Sequence, residues 1–249
     1  LSYQIHIVQV DFSEKRVVVV DETRDGNGRP GSPNDEQVDQ FYRFVLGYDT
    51  VSWENIDGWK FEEIDYTRRS FISPLDLKQA QVVVWHSDDK STLELKNNPD
   101  NIRLLREYLD RGGKLILSGW DIMGHFTDAD SAAFPSGFVA RYLRITSAQR
   151  ANDRVFKGAM GADSLSVDPN KIPAAWGGLD RCWSFTPAHR TEILAYWYDN
   201  TPLAGRPAIV FNASPVNIWR TVTLGFPLFF INDDQAKNFI QDVLIRLVQ

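Results

Sequence analysis

A glycine pair between a helical segment and an apolar run constrains the fold of this chain more than any other feature. Gly112-Gly113 follows a helical pattern over residues 101–111, and glycine takes the left-handed backbone that ends a helix. Lys114–Leu117 is then a short apolar run, which is typical of a strand buried on both faces. Ser118-Gly119 breaks this run before another helical segment. Helix, buried strand, tight turn and helix in this order predict an α/β fold with a ligand loop or active site at the turn.

Short apolar runs elsewhere predict further strands of the same sheet. In the first half of the chain these runs are Val17–Val20, Asp49–Trp53 and Val82–Trp85. In the last quarter they are Glu192–Tyr198, Pro207–Asn212 and Trp219–Leu224. Because helical segments separate the early runs, the order of elements predicts a doubly wound, mostly parallel sheet with helices on both faces and a late antiparallel hairpin.

Two helices are marked clearly by capping residues and apolar periodicity. Asn34 is a suitable N-cap with Gln37 at the capping-box position, and an apolar stripe follows it. The last helix keeps the same periodicity from Ala236 to Leu247, with Asn232 or Asp233 as its cap. Residues 1–14 are interpreted as an edge strand or as the tail of a preceding module. Residues 15–249 are interpreted as one domain with an irregular or short-stranded insertion around residues 127–190.

Composition excludes several classes of function. The chain has 249 residues and a net charge of -6, which argues against binding to nucleic acid or to an anionic membrane. No apolar run approaches the roughly 20 residues that span a bilayer. Cys182 is the only cysteine, so the chain cannot form an internal disulfide. Because the chain begins at Leu1 without a methionine or a signal peptide, we expect it to be a processed or excerpted piece.

Several segments, taken in order, are similar to the class I glutamine amidotransferase-like family. They are Val17–Asp21, Val82–Trp85, Gly112–Gly119 and Leu224–Leu228, and the resemblance covers roughly residues 15 to 249. It implies a flavodoxin-like sheet with the functional turn after the strand that follows Gly113. More narrowly, the chain resembles the degenerate domains of this family found in large extracytoplasmic bacterial proteins, which implies an extracytoplasmic location and other domains of the same parent protein as partners.

The residues at the active positions depart from that family. Active members carry a cysteine in the turn and a distant histidine and glutamate, whereas this chain has Ser118–Ile122 at the turn and Phe226–Leu228 at the later corner. Without a thiolate there is no nucleophile, and without an imidazole nothing activates one. Cys182 is interpreted as a small buried apolar residue in the insertion. We therefore expect no glutaminase activity, and the resemblance favours a domain that is not an enzyme.

Polar side chains follow three of the predicted strands and form the candidate pocket. Since the carboxyl ends of parallel strands meet at one edge of a sheet, these side chains are expected to converge. The candidate pocket residues are Asp21, Glu22, His86, Asp88, Ser118, Asp121 and His125. The candidate metal ligands are Asp21, Asp25, His86, Asp88, Asp121 and His125, because carboxylates and imidazoles bind divalent ions. The same groups suit general acid–base chemistry, or they cap helices and bind loop amides.

Two further motifs at this edge have alternative interpretations. The loop Asp21–Gly28 resembles a calcium-binding loop in its alternating oxygen ligands and glycines, but it lacks the full spacing of such a motif. An acidic surface loop is the simpler interpretation. A serine hydrolase built on Ser118 or Ser87 would need a base, for which His86 and His125 are nearby in sequence, and an oxyanion hole.

Two hypotheses of function remain from the sequence. The first is a non-catalytic module of a larger, exported protein that acts in binding or assembly, with the other domains of that protein or an unidentified ligand as partners. The second is a metal-assisted hydrolase that uses the polar groups at the strand ends. No cofactor is predicted apart from a possible divalent metal, and neither nucleic acid nor membrane insertion is expected.

Overall fold

The computed structural model describes residues 12, 14–24, 31–47, 58–90, 94–199, 201–213 and 218–249. The strands in these ranges are β1 (Arg16–Asp21), β2 (Lys60–Asp65), β3 (Val82–Ser87), β4 (Lys114–Gly119), β5 (Ser131–Ala133), β6 (Ile145–Ala151), β7 (Gly158–Gly161), β8 (Ser164–Ser166), β9 (Cys182–Pro187), β10 (Glu192–Trp197), β11 (Pro207–Asn212) and β12 (Arg220–Leu224). The α-helices are α1 (Asp35–Leu46), α2 (Tyr66–Arg69), α3 (Pro74–Leu77), α4 (Glu94–Asn97), α5 (Pro99–Asp110) and α6 (Asp233–Val248). Single 3₁₀ turns lie at Ile122–His125, Pro169–Lys171 and Leu228–Phe230, and a π turn lies at Val139–Leu143.

The main sheet has nine strands in the order β2-β1-β3-β4-β12-β11-β10-β7-β8. The pairs from β2 to β12 are parallel, and Val17 pairs with Val82 while Val83 pairs with Leu115. The pairs from β12 to β8 are antiparallel. The expectation of a mostly parallel, doubly wound, flavodoxin-like sheet is therefore wrong. The connections within β7–β8, β10–β11 and β11–β12 are too short for a crossover helix, so these three pairs can only be antiparallel.

Three of the early runs form parallel neighbours as predicted, namely β1, β3 and β4. The predicted strands of the last quarter also exist, as β10, β11 and β12. The predicted strand at Asp49–Trp53 and the possible edge strand before Asp11 lie outside the described residues. The strand that pairs with β1 on its other side is β2, whose sequence Lys-Phe-Glu-Glu-Ile-Asp carries too many charges to be recognised as a buried strand.

Most of the segment 127–190 is organised around short strands. β5, β6 and β9 form a separate antiparallel sheet, while β7 and β8 extend the main sheet. A backbone hydrogen bond from Trp183 N to Gly225 O, at 2.6 Å, joins the small sheet to the chain just after β12. The small sheet also contacts the turn after β4, because Arg150 of β6 and Trp183 of β9 both donate to Asp121.

Helices cover both faces of the parallel strands. On one face, Val17 and Val19 of β1 pack in the same cluster as residues of α1 and α6, and on the other, Val18 and Val20 pack with residues of α5. The Asn34 side chain and Gln37 form the predicted capping box of α1, and the Asn232 side chain caps α6. Alternate residues of β1 thus enter two cores, which explains why the whole strand is apolar.

The glycine pair ends α5 as the sequence predicts. Gly112 has φ of 94°, a conformation that residues with side chains rarely adopt. Gly113 lies against the ring of Tyr108, where a Cβ atom would come within 2.3 Å of the ring. Gly112 is therefore required for its backbone conformation, and Gly113 is required for its close packing against Tyr108. No helix in the described ranges is long and apolar enough to cross a membrane.

Candidate functional site

The carboxyl ends of β1, β3 and β4 bring together the first group of predicted residues. Asp21 pairs in register with His86, and His86 pairs with Ser118. Asp88 follows directly after β3, so four of the predicted side chains occupy one edge of the sheet. They are Asp21, His86, Asp88 and Ser118, and each has at most 1% of its surface exposed.

His86 lies between two carboxylates. Its Nδ1 atom is 3.4 Å from Oδ1 of Asp21 and 3.0 Å from Oδ2 of Asp88. The Tyr42 ring stacks on the imidazole at a centroid distance of 3.7 Å, and the Tyr42 hydroxyl donates to Asp88 Oδ2 at 3.1 Å. Burial alone would lower the pKa of His86, but the two carboxylates raise it to about 9. The histidine is therefore a buried cation at neutral pH, which is unsuited to act as a general base.

Ser118 holds the backbone of the corner that precedes α6. Its hydroxyl donates to Phe226 O at 3.1 Å and accepts from Leu228 N at 3.1 Å. Asp88 Oδ1 accepts from Phe229 N at 3.3 Å, which fixes the same segment. These bonds give Ser118 and Asp88 a structural role, and they do not provide the serine–histidine pair that a serine hydrolase requires.

Glu22 and His125 form a second buried group at the same edge. Glu22 accepts from Trp85 Nε1 at 2.6 Å and from the Glu94 backbone N–H at 3.2 Å. His125 Nε2 lies 4.0 Å from Glu22 Oε2. Complete burial raises the pKa of Glu22 to about 8, although the N–H donors oppose this shift.

Asp121 makes its hydrogen bonds to residues outside both groups, although its sequence position suggested a face shared with His125. Its carboxylate accepts from Arg150 Nη1 at 3.0 and 2.9 Å and from Trp183 Nε1 at 2.8 Å, and Arg181 Nη1 lies 3.4 Å away. Asp121 has φ of 52° and precedes a single 3₁₀ turn, not a longer α-helix. With three residues per turn, side chains four positions apart no longer share a face.

Asp25 lies in the undescribed segment 25–30, so the structure gives no position for it and the resemblance of Asp21–Gly28 to a calcium loop stays a hypothesis. Cys182 is buried in β9, as expected. Burial raises the pKa of its thiol well above the ordinary value, so the thiolate is disfavoured.

An acidic cleft beside α1 was missed by reasoning from the sequence. It has a volume of about 390 Å³ and is lined by residues from α1, β2 and α2: Asp35, Glu36, Asp39, Arg43, Glu63, Asp65 and Arg68. One carboxylate oxygen each from Asp21, Asp35 and Asp39 lies within 4.8 Å of the others, a spacing that suits a bound metal ion. The spacing of Asp35 and Asp39, four residues apart on a helix, is a signal that could have indicated this site.

Comparison with known proteins shows that the fold of this chain is similar to that of several solved structures. No family model matches the sequence, and the search of the curated proteins finds no relative. A β-galactosidase from the Antarctic haloarchaeon Halorubrum lacusprofundi matches over 97% of this chain and 31% of its own, with a TM-score of 0.53 and 15% identity. A β-galactosidase from Bacillus circulans sp. alkalophilus matches over 94% and 31%, with a TM-score of 0.50 and 11% identity. Gan42B, a GH42 β-galactosidase, matches over 94% and 30%, with a TM-score of 0.50 and 12% identity.

These matches correct the family assignment. These three solved structures of similar fold are β-galactosidases, not glutamine amidotransferases, so the resemblance to the amidotransferase-like family is wrong. The motifs that suggested it, a buried strand after a glycine pair and a Gly-Phe-Pro corner, are local features that α/β proteins of different families share. The chain spans less than a third of the length of these enzymes, and the low identities relate the folds alone.

Proposed function

We propose that this chain is a non-catalytic α/β domain that acts in binding or assembly within a larger protein. The observation that carries the proposal is the burial of the strand-end residues: Asp21 and His86 are 1% exposed and Asp88 is 0% exposed. A catalytic group must contact its substrate, and these groups instead contact one another, while Asp88 also accepts from Phe229 N. Their arrangement supports a role in holding the loops of this edge together.

The length of the matching structures supports the same proposal. The fold accounts for 30–31% of the β-galactosidase chains, so a unit of this kind exists as one part of a larger enzyme. The alternative, a metal-assisted hydrolase at the strand ends, has less support. It needs Asp121 and His125 beside His86, whereas Asp121 is engaged by Arg150 and Trp183.

The absence of catalysis is tested by assays of the purified chain with glutamine, chromogenic glycosides, an aryl ester and an aryl phosphodiester, with and without added divalent metals. We expect no turnover above that of a His86→Gln variant. His189, which is exposed, provides the matched control as His189→Gln. Turnover that the His86 variant loses and the His189 variant keeps would contradict the proposal.

The role in binding or assembly is tested in the parent protein by deleting residues 15–249. Deletion is expected to change the oligomeric state or the retention of a ligand, measured by light scattering after size exclusion, and to leave the chemistry of other domains intact. Loss of turnover with unchanged assembly and ligand retention would argue for a catalytic domain.

A further inference from the structure

The acidic cleft beside α1 has the geometry of a cation site. Asp35 and Asp39 lie one helical turn apart on α1, and Asp21 lies at the end of the neighbouring strand β1. One oxygen of each carboxylate lies within 4.8 Å of the other two. Three acidic side chains from two rigid elements therefore converge on one point, although they are far apart in sequence.

Carboxylates outnumber the cations around this point. Glu36 of α1 and Glu63 and Asp65 of β2 also line the cleft, which gives six acidic groups with Asp21, Asp35 and Asp39. Two arginines face these groups. Arg43 lies 3.3 Å from both Asp39 and Glu63. Arg68 lies 2.7 Å from Asp65 and 3.6 Å from Asp35. His86 is the third cation, and its Nδ1 atom also lies 3.0 Å from Asp88 Oδ2.

Asp21 is the most deeply buried of the three carboxylates. Oδ1 of Asp21 accepts a hydrogen bond from Thr23 N at 2.6 Å, whereas Oδ2 has no hydrogen-bond partner among the residues that the structure describes. The residue is only 1% exposed, so water does not readily satisfy this oxygen. A buried carboxylate oxygen without a donor is costly, and a cation, a proton or a donor must neutralise it.

We propose that Asp21, Asp35 and Asp39 bind a divalent cation with hard-ligand preference, and that Ca²⁺ is the ion that fits. Oxygens on opposite sides of Ca²⁺ lie about 5 Å apart, because each Ca–O distance is roughly 2.3–2.6 Å. The observed limit of 4.8 Å therefore lets all three carboxylates reach one ion. The cleft of about 390 Å³, which Asp35 and Asp39 line, gives the ion access and room for the water ligands that complete its shell.

Burial raises the pKa of Asp21 to about 7, and burial together with Glu63 raises the pKa of Asp39 to about 7. A carboxyl group binds Ca²⁺ in its deprotonated form, so protons compete with the ion at these two residues. The proposal does not depend on the proposed function, because a bound ion could stabilise a catalytic or a non-catalytic domain equally well.

The test is calcium titration of the EDTA-treated protein, followed by isothermal calorimetry and by thermal unfolding. The wild type is expected to bind one Ca²⁺ and to show a Tm that rises with calcium concentration. Asp35→Asn and Asp39→Asn are expected to weaken binding at least tenfold and to remove the rise in Tm. Asp100→Asn is the matched control, because Asp100 also lies in the first turn of a twelve-residue helix but is exposed.

Asparagine has nearly the volume of aspartate, so both Asn variants are expected to fold, and circular dichroism checks this before titration. Absence of calorimetric heat and of a Tm shift in the wild type would overturn the proposal, as would undiminished binding in both Asn variants. Tighter binding of Mg²⁺ than of Ca²⁺ would overturn the choice of ion.

Discussion

Arg150 Nη1 donates to both carboxylate oxygens of Asp121, at 3.0 and 2.9 Å. Arg150 belongs to β6 of the small sheet, and Asp121 belongs to the turn after β4 of the main sheet. The side chain of Asp121 is 6% exposed and that of Arg150 is 13% exposed, so solvent screens this ion pair weakly. The pair therefore connects the two sheets at the turn where the sequence predicted a ligand loop or active site.

Removing this carboxylate should destabilise the fold. Asp121→Ala is expected to lower the free energy of unfolding by about 3 kcal/mol, because it leaves Arg150 and the Trp183 N–H without a buried acceptor. Asp121→Asn should cost less, since asparagine tolerates the left-handed backbone and still accepts from Trp183. Chemical denaturation monitored by tryptophan fluorescence measures both changes.

The control for Asp121 is Asp130, the other partner of Arg150. Asp130 is 54% exposed, and an exposed ion pair contributes about 0–1 kcal/mol, so Asp130→Asn should change stability little. Equal losses from Asp121→Ala and Asp130→Asn would show that the buried pair has no special role.

Ser118 should behave as a structural residue, not as a nucleophile. Ser118→Ala removes the acceptor of Leu228 N and the donor to Phe226 O, and both backbone groups are buried. An unsatisfied buried group costs about 1–3 kcal/mol, so the variant should lose stability in that range. Thermal unfolding measures the loss, with Ser131→Ala as the control because Ser131 is exposed. A Ser118 variant with wild-type stability would mean that these bonds contribute nothing.

The Tyr42 hydroxyl should contribute more than the average tyrosine hydroxyl, because it donates to the buried carboxylate of Asp88 at 3.1 Å. Tyr42→Phe keeps the ring that stacks on His86 and removes only that bond. A hydrogen bond to a charged group contributes about 1.5–3 kcal/mol, and we expect a loss near the lower end. Tyr198→Phe, at a residue that is 56% exposed, should have no measurable effect in the same denaturation assay. A Tyr42→Phe loss no larger than that of Tyr198→Phe would be evidence against this bond.

Local patterns in the sequence predict the central strands of the main sheet but not the strands at its two edges. The apolar runs of β1, β3 and β4 and the capping box of α1 depend on neighbouring residues alone, so they could be recognised. β2 could not, because half of its residues are only partly buried and four of the six are charged. In the antiparallel half of the sheet, β10 to β12 could be recognised, but β7 and β8 could not, because they have four and three residues and no distinctive periodicity.

The site shows the same division. Asp21, His86 and Ser118 could be grouped from the sequence, because parallel strands bring their carboxyl ends to one edge. The partners of Asp121 could not be predicted, since Arg150 is 29 residues away and Trp183 is 62 residues away in sequence. The contact between Tyr42 and Asp88, 46 residues apart, also depends on how α1 packs on the sheet.

Buried acids make the stability of this protein depend on pH. Burial raises the pKa of Glu22 from 4.5 to about 8 and that of Asp21 from 3.8 to about 7. A group whose pKa is raised on folding binds a proton more tightly in the folded state, so it stabilises the fold at low pH and loses that contribution as pH rises through the folded value. His86, with its pKa raised to about 9, acts in the same direction. From these three groups alone, the protein should be most stable below about pH 4 and should weaken steadily up to about pH 9.

Glu22→Gln isolates one part of this dependence. With EDTA present to exclude metal ions, Glu22 alone should lower the free energy of unfolding of the wild type by on the order of 3 kcal/mol between pH 5.5 and pH 8.5, and Asp21 and His86 should add to this fall. The variant should be somewhat less stable at pH 5.5, because an amide nitrogen cannot accept from the Glu94 N–H as Oε2 does. Its decline with pH should nevertheless be clearly smaller, since position 22 no longer releases a proton. Urea unfolding at several pH values measures both slopes, and Glu107→Gln on the exposed face of α5 is the control. Parallel curves for wild type and Glu22→Gln would show that Glu22 has the same pKa in the folded and unfolded states.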